Sequence, residues 1–272
     1  MQRDPQSHKG ENGKVAVVGG SRYQHGAPIF SALGAEATGV NLLYLTLPAC
    51  HEEAAKSASH NVQVYPFAGN DLRSTDVRGI LELLATVDAA VIGPGLERDA
   101  ETIAALREVI TGAACALVLD ATALQPWTCE VIRGRLAVLT PHAGELERMG
   151  MKFEMACEQA KQRGVTVVCK GAIDRICCRD GTTCEISGGN AGLTVGGTGD
   201  VLAGLIAGFL AQRCTPEEAA QLASRTIKAA GDELGAERSY AYTATDVLAK
   251  IPFLLRDAWT SPRSPASAPK KK

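Results

Sequence analysis

Residues 88–95 read Asp88-Ala89-Ala90-Val91-Ile92-Gly93-Pro94-Gly95. Positions 89–92 are apolar with no polar alternation, the pattern of a strand covered on both faces. The Gly93-Pro94-Gly95 turn stops it: proline cannot continue a hydrogen-bonded ladder, and glycine takes backbone conformations closed to other residues. The same unit recurs. Residues 15–18 end in Gly19-Gly20, residues 41–47 in Pro48, residues 116–119 at Asp120, and residues 136–139 at Thr140-Pro141. Residues 62–65, 165–169, 175–178 and 182–186 complete the set, and helical segments such as 28–38 lie between most of them. Continuous apolar strands alternating with helices predict an α/β fold, a mostly parallel central sheet with helices on both faces. The last two strands are separated by Asp180-Gly181, which predicts an antiparallel hairpin at one sheet edge.

Residues 200–212 place Val201, Leu202, Leu205, Ile206, Phe209 and Leu210 at the spacing of one buried helical stripe. Thr215-Pro216-Glu217-Glu218 is a capping box with proline at the first helical position. Thr245 or Asp246 is expected to cap a short final helix ending before Pro252. With no internal repeat and no dividing linker, residues 13–258 read as one domain. Residues 1–12 and 259–272, the latter rich in Pro, Ser and Lys, read as disordered tails.

Lys plus Arg number 28 and Asp plus Glu 30, so the formal charge is −2 and no basic excess marks a nucleic-acid binder. No run of eighteen apolar residues is present, and the start, MQRDPQSHKGENGK, lacks the apolar core of a signal peptide. A cytoplasmic protein with no membrane partner is the expectation. The nine cysteines include no CxxC pair, and the expectation is reduced thiols that act as small hydrophobes. Cys169, Cys177, Cys178 and Cys184 lack the close ligand pairs of a zinc site.

In open α/β sheets ligands bind beyond the carboxyl ends of the strands. The strongest feature there is Gly196-Gly197-Thr198-Gly199-Asp200, directly before the apolar helix. A helix start offers unpaired N–H groups and partial positive charge, and glycines let that backbone close around an anion. The turn reads as a phosphate cradle. Asp200 reads either as a base for an attacking hydroxyl or as an ordinary helix-start acid. Neither a Walker A motif nor a GxGxxG fingerprint is present. Glu145 is a candidate for holding Mg²⁺ through water or a helix-capping acid. His142 suits hydrogen bonding to a polar substrate or a structural role. Lys170, at a strand end, suits a nucleotide phosphate or simple solvation.

These features together resemble one family. The run 190–204, Asn-Ala-Gly-Leu-Thr-Val-Gly-Gly-Thr-Gly-Asp-Val-Leu-Ala-Gly, is similar to the signature of the ADP- or ATP-dependent NAD(P)H-hydrate dehydratases of the ribokinase-like superfamily. Thr140-Pro141-His142-Ala143-Gly144-Glu145, Ile92-Gly93-Pro94-Gly95 and Gly26-Ala27 match further family motifs in order. The resemblance covers residues 13–250. It implies a three-layer α/β/α fold and a repair lyase. A nucleotide phosphorylates the hydroxyl of a hydrated NADH or NADPH ring, and elimination of phosphate then restores the cofactor. By position, Asp200 would be the base, and Gly197, Thr198 and Gly199 would stabilise the moving phosphoryl group. Ala27, Gly95, His142 and Asp200 would line the hydrated-cofactor site. Lys170, Gly171, Ala172, Ile173, Asp174 and Gly199 would hold the nucleotide. Glu145 and Asn190 would organise Mg²⁺, through water. ADP is the implied donor, with ATP the other choice, and relatives imply a homo-oligomer, a tetramer. The alternative is a small-molecule kinase of the same superfamily acting on a thiazole or pyrimidine alcohol.

Two positions depart from the family pattern. Asp120-Ala121-Thr122-Ala123-Leu124 carries Thr122 where an acid is usual, and Asp174 stands where the nucleotide segment usually ends in Thr. An acid beside a polyphosphate is unfavourable unless it faces away or meets a cation, so Asp174 bears on nucleotide choice and affinity. The fused epimerase domain of some family members is not expected here.

Overall fold

The computed structural model describes residues 3–260. In chain order the first half is β1 (Lys14–Val18), α1 (Gly26–Ala37), β2 (Leu42–Thr46), α2 (Glu52–Ala58), β3 (Val62–Val64), α3 (Ser74–Leu84), β4 (Ala89–Ile92), α4 (Ala100–Gly112), β5 (Ala116–Leu119) and α5 (Thr128–Val131). The second half is β6 (Ala137–Leu139), α6 (Ala143–Arg148), α7 (Ala156–Arg163), β7 (Thr166–Cys169), β8 (Asp174–Cys177), β9 (Thr183–Ile186), α8 (Thr198–Ala211), α9 (Pro216–Arg238) and α10 (Ala244–Thr260).

The nine expected strands form one sheet, ordered β3-β2-β1-β4-β5-β6-β7-β8-β9. Strands β1 to β7 pair in parallel, and β8 and β9 run antiparallel at the edge. The apolar runs are continuous because each strand feeds two cores. Val15 and Val17 of β1 pack with α1, α8, α9 and α10 on one face, while Ala16 and Val18 pack with α3, α4 and α7 on the other. The arrangement has three layers, helices on both faces of one sheet.

The chain builds outward from β1 to β3, returns to place β4 on the other side of β1, and continues to β7. The reversal opens a crevice between the ends of β1 and β4, where such folds bind ligands. Here the backbones touch: Gly20 N–H donates to the Pro94 carbonyl at 2.8 Å, and a Cβ on Gly19 would stand 2.3 Å from that oxygen. Behind the crevice α1 and α8 cross at close range, with Gly34, Gly204 and Gly208 at the contact.

Three expectations are corrected. The final helix starts earlier and runs through Pro252, because Thr243 caps it: Asp246 N–H meets the Thr243 hydroxyl oxygen and the Asp246 carboxylate accepts Thr243 N–H. Val247, Ile251 and Leu255 then bury one face, and the exposed proline ring costs one backbone bond. Residues 3–12, expected as tail, form turns; Asn41 Oδ1 accepts the backbone N–H groups of Gly10 and Asn12, both at 3.0 Å. Of the expected C-terminal tail, 259–272, Trp259 and Thr260 belong to α10, and 261–272 lie outside the described residues.

Cysteine chemistry supplies the third correction. Cys157 of α7 and Cys177 of β8 are joined by a disulfide, their Cα atoms 4.5 Å apart where helix packs on strand. The others are free thiols. Burial pushes Cys115 and Cys169 up to about 11, so both remain protonated hydrophobes.

Candidate active site

The parallel strands β5, β6 and β7 bring Asp120, Thr140 and Lys170 together at one end of the sheet. Asp120 follows β5 and is buried. Its Oδ1 accepts the Thr140 hydroxyl at 2.7 Å and the Lys170 ammonium at 2.9 Å. Thr140 follows β6, and Lys170 follows β7, its N–H donating to the Pro141 carbonyl at 2.9 Å. Lys170 Nζ also lies 3.7 Å from Glu145 Oε2. Burial opposes the charge of Lys170, but Asp120, Glu145 and Asp200 hold its pKa above the ordinary lysine range.

Glu145 sits in the first turn of α6. His142 caps that helix: its Nδ1 accepts Gly144 N–H at 3.1 Å, and Glu145 Oε2 accepts His142 N–H at 2.9 Å. This capping box leaves the imidazole more than half exposed, its Nε2 edge 3.5 Å from Glu145 Oε1. A ring that accepts at Nδ1 carries its proton on Nε2, the edge that lies nearest Glu145 Oε1.

The glycine turn opens α8. Gly197 has φ +101°, and a side chain there would meet the Phe30 ring at 2.8 Å and Ala244 Cβ at 2.9 Å. The Thr198 hydroxyl is committed to the carbonyls of Leu193 and Val195, at 2.8 and 3.1 Å, which leaves only its backbone N–H to face the helix start. A Cβ on Gly199 would stand 3.4 Å from Lys170 Nζ, so the ammonium lies directly against the helix start. Asp200 is part-buried one residue further, anchored where the Ser31 hydroxyl of α1 donates to its carbonyl at 3.0 Å.

Burial raises the Asp200 carboxyl to about 7, with Asp120 and Glu145 pushing the same way and Lys170 opposing. A carboxyl poised near neutrality is suited to proton transfer. The neighbours give a signed test. Removing the opposing cation with Lys170→Met should move the Asp200 midpoint upward, and removing a neighbouring anion with Asp120→Asn should move it downward. Carbon-detected NMR titration of the free protein reads both. Identical midpoints in all three proteins would show that these charges do not set the carboxyl.

The remaining predicted residues fall in two groups. Gly95 takes φ +71° at the crevice, and its would-be Cβ lies 3.4 Å from Ala27 Cβ, so these two are brought together. Residues 170–174 turn between β7 and β8, with Gly171, Ala172 and Ile173 exposed. Asn190 is different. Its Oδ1 accepts Gly192 N–H and the Tyr242 hydroxyl, both at 2.8 Å, and its Nδ2 donates to the Gly231 carbonyl. The carboxamide is spent in locking the turn before α8 onto α9, so the metal role expected of it is withdrawn. Thr122, in place of the usual acid, donates to the Leu96 carbonyl at 2.8 Å and fastens the loop after β4. Sequence reasoning gives no role to Thr140 or Ser31, and marks Asp120 only as a strand end and as the first acid of the Asp120–Leu124 run. Asp120 was the most readable of them, an acid closing a buried strand.

With this geometry in place, the family can be assigned. The NAD(P)H-hydrate dehydratase family model matches residues 15–253. The chain belongs to that family. Among relatives of the dehydratase family, the ADP-dependent (S)-NAD(P)H-hydrate dehydratase of Nitrosopumilus maritimus is 34% identical over 93% of this chain and 92% of its own length. The bifunctional NAD(P)H-hydrate repair enzyme of Pyrobaculum aerophilum is 35% identical over 93% of this chain, which spans only 52% of that protein. The chain thus covers about half of the bifunctional relatives. Among solved structures, an ADP/ATP-dependent NAD(P)H-hydrate dehydratase from Bacillus subtilis, co-crystallised with ATP and Mg²⁺, superposes with a TM-score of 0.76 at 28% identity, covering 92% of each chain. A ribokinase-like protein from Enterococcus faecalis gives 0.83 at 25% identity over 96% of this chain and 93% of its own.

Proposed function

We propose that this chain is an ADP-dependent (S)-NAD(P)H-hydrate dehydratase. The observation that carries the reading is the meeting of three groups in a chain of this family: the Asp200 carboxyl, the Lys170 ammonium and the Gly197–Thr198–Gly199 backbone.

Hydroxide is a poor leaving group and phosphate a good one. Asp200 accepts the proton of the ring hydroxyl as its oxygen attacks the terminal phosphorus of the nucleotide. The bond from that phosphorus to its bridging oxygen breaks, and AMP departs when ADP is the donor. The N–H groups at the start of α8 stabilise charge on the transferring group, where fixed donors act without reorganising. Lys170 lies beside the same turn and offsets the local carboxylates. The ring nitrogen lone pair then expels phosphate, and loss of a ring proton restores the reduced nicotinamide. Ala27, Gly95 and the exposed imidazole of His142 form the substrate side.

Among the described residues no group of three or more His, Cys, Asp or Glu forms a metal cage. Mg²⁺ bound to nucleotide phosphates needs only one or two carboxylates and keeps several waters, and the oxygen donors here fit that mode. Glu145 would hold it through water. The ion, when bound, neutralises phosphate charge. No described helix is long and apolar enough to cross a membrane.

The test is direct. Hydrated NADH is supplied with ADP and Mg²⁺, or with ATP and Mg²⁺, and the near-ultraviolet absorbance of NADH is followed. Recovery of that absorbance, faster with ADP, is the expected result. Turnover of a thiazole or pyrimidine alcohol, with no recovery from either nucleotide, would instead mean a vitamin-precursor kinase.

A further inference from the structure

Lys228 is a buried cation that the reaction above does not use. It lies in the middle of α9, 6% exposed, and reaches across to residues 170–174. Its Nζ donates to the carbonyls of Gly171 at 2.7 Å and Ala172 at 2.9 Å, and stands 3.5 Å from Asp174 Oδ1. An ammonium has three N–H bonds, so two hold backbone and the third faces the carboxylate. That same Oδ1 accepts Gly171 N–H at 3.0 Å, which closes the turn from the other side.

The two carbonyls fix more than themselves. A trans peptide is planar, with C=O and N–H on opposite sides. Holding the Gly171 carbonyl toward α9 therefore turns Ala172 N–H away from it, and holding the Ala172 carbonyl does the same to Ile173 N–H. Both residues are exposed, so two backbone donors face outward, beside the Lys170 that flanks the phosphate cradle. The acid at 174 is also explained. It meets a cation inside the loop and does not confront a polyphosphate.

We propose that Lys228 is a positioning residue for the nucleotide. By gripping the carbonyls of Gly171 and Ala172 it presents the N–H groups of Ala172 and Ile173 as a fixed donor pair for ADP or ATP, while its charge cancels that of Asp174. The inference rests on the dehydratase reading for the identity of the nucleotide, and its primary readout, nucleotide binding, does not require turnover.

Calorimetric binding of ADP with Mg²⁺, in the absence of hydrated cofactor, reads the effect. Lys228→Met alone strands a buried carboxylate and endangers the fold, so the informative protein is Lys228→Met with Asp174→Asn, which removes both charges together. Its ADP affinity is expected to fall by about 10- to 100-fold, the scale of lost hydrogen bonds to a charged group. The KM for hydrated NADH should stay unchanged, a split that a general structural defect would not produce. If the double variant does not fold, Ala172→Pro deletes one outward donor without touching the buried pair and should weaken ADP about tenfold. A folded double variant or Ala172→Pro protein that binds ADP as tightly as wild type overturns the proposal. Wild-type protein that binds ADP but does not restore NADH would instead refute the dehydratase reading and leave Lys228 its role.

Discussion

Asp200→Asn is expected to lower kcat for NADH restoration by about 10²–10⁴, the usual worth of a positioned base, with the fold intact. The asparagine keeps the shape of the side chain and loses the lone pair that takes the proton. The same substitution should make the protein more stable above neutral pH, and the sign follows from linkage. The folded-state carboxyl lies at about 7, above its ordinary value of 3.8. Folding therefore favours the protonated acid. That contribution is fully present below the unfolded value and is lost as pH rises through the folded one. At pH 8 the wild type carries an ionised, part-buried carboxylate that the variant lacks. A gain on the order of 2 kcal/mol is expected there, allowing for solvent screening of a part-exposed group. At pH 3.5 the difference should largely vanish. Thermal melts at the two pH values, with the rate assay, check both halves. An unchanged rate removes Asp200 from proton transfer; equal melting at pH 8 shows that the carboxyl is not strained by its surroundings.

That strain explains what was legible in the sequence and what was not. Strands 89–92 and 116–119 could be read to the residue because both faces are buried, so burial alone writes their pattern. The glycine turn that opens α8 was readable because glycines before an apolar helix have a local physical meaning. Pairings between distant residues were not. Asp120 acquires its partners from the ends of β6 and β7, and nothing near residue 120 announces them. Asp174 looked like a repulsive departure because its cation lies 54 positions away, in a helix whose pattern reads only as amphipathic. Asn190 looked like a ligand because a carboxamide beside a phosphate turn suits one. Its real partners, Gly231 and Tyr242, come from the chain beyond α8. Pro252 was read as a stop because local propensity says so. The buried face of Val247, Ile251 and Leu255 outweighs the one bond lost.

Gly204→Ala should be strongly destabilising, although helix propensity alone argues the reverse. Alanine in a helix interior is favoured over glycine by about 1 kcal/mol. At Gly204, however, a Cβ would stand 2.0 Å from the Ser31 carbonyl oxygen and 2.9 Å from Ala35 N. Both obstacles are backbone of α1, so no rotamer change relieves them. The same interface repeats the device from the other side, where a Cβ on Gly34 would lie 2.6 Å from the Val201 carbonyl. The helices would have to separate, opening a core that includes Ala32, Ala35, Val201 and Leu205. Overpacking costs about 1–3 kcal/mol where side chains can adjust, and this site belongs at or above the upper end. Melting should fall by roughly 6–12 °C at about 2–4 °C per kcal/mol for a chain of this size. Activity should fall with it, because the Ser31 hydroxyl that anchors the Asp200 carbonyl lies on the displaced surface. Gly79→Ala is the matched control: it is interior to α3, and its Cβ would meet nothing within 4 Å. That variant should melt at or slightly above wild type. If Gly204→Ala also melts at or above wild type, the two helices are not in backbone contact, and the close crossing cannot be what holds Asp200 at the cradle.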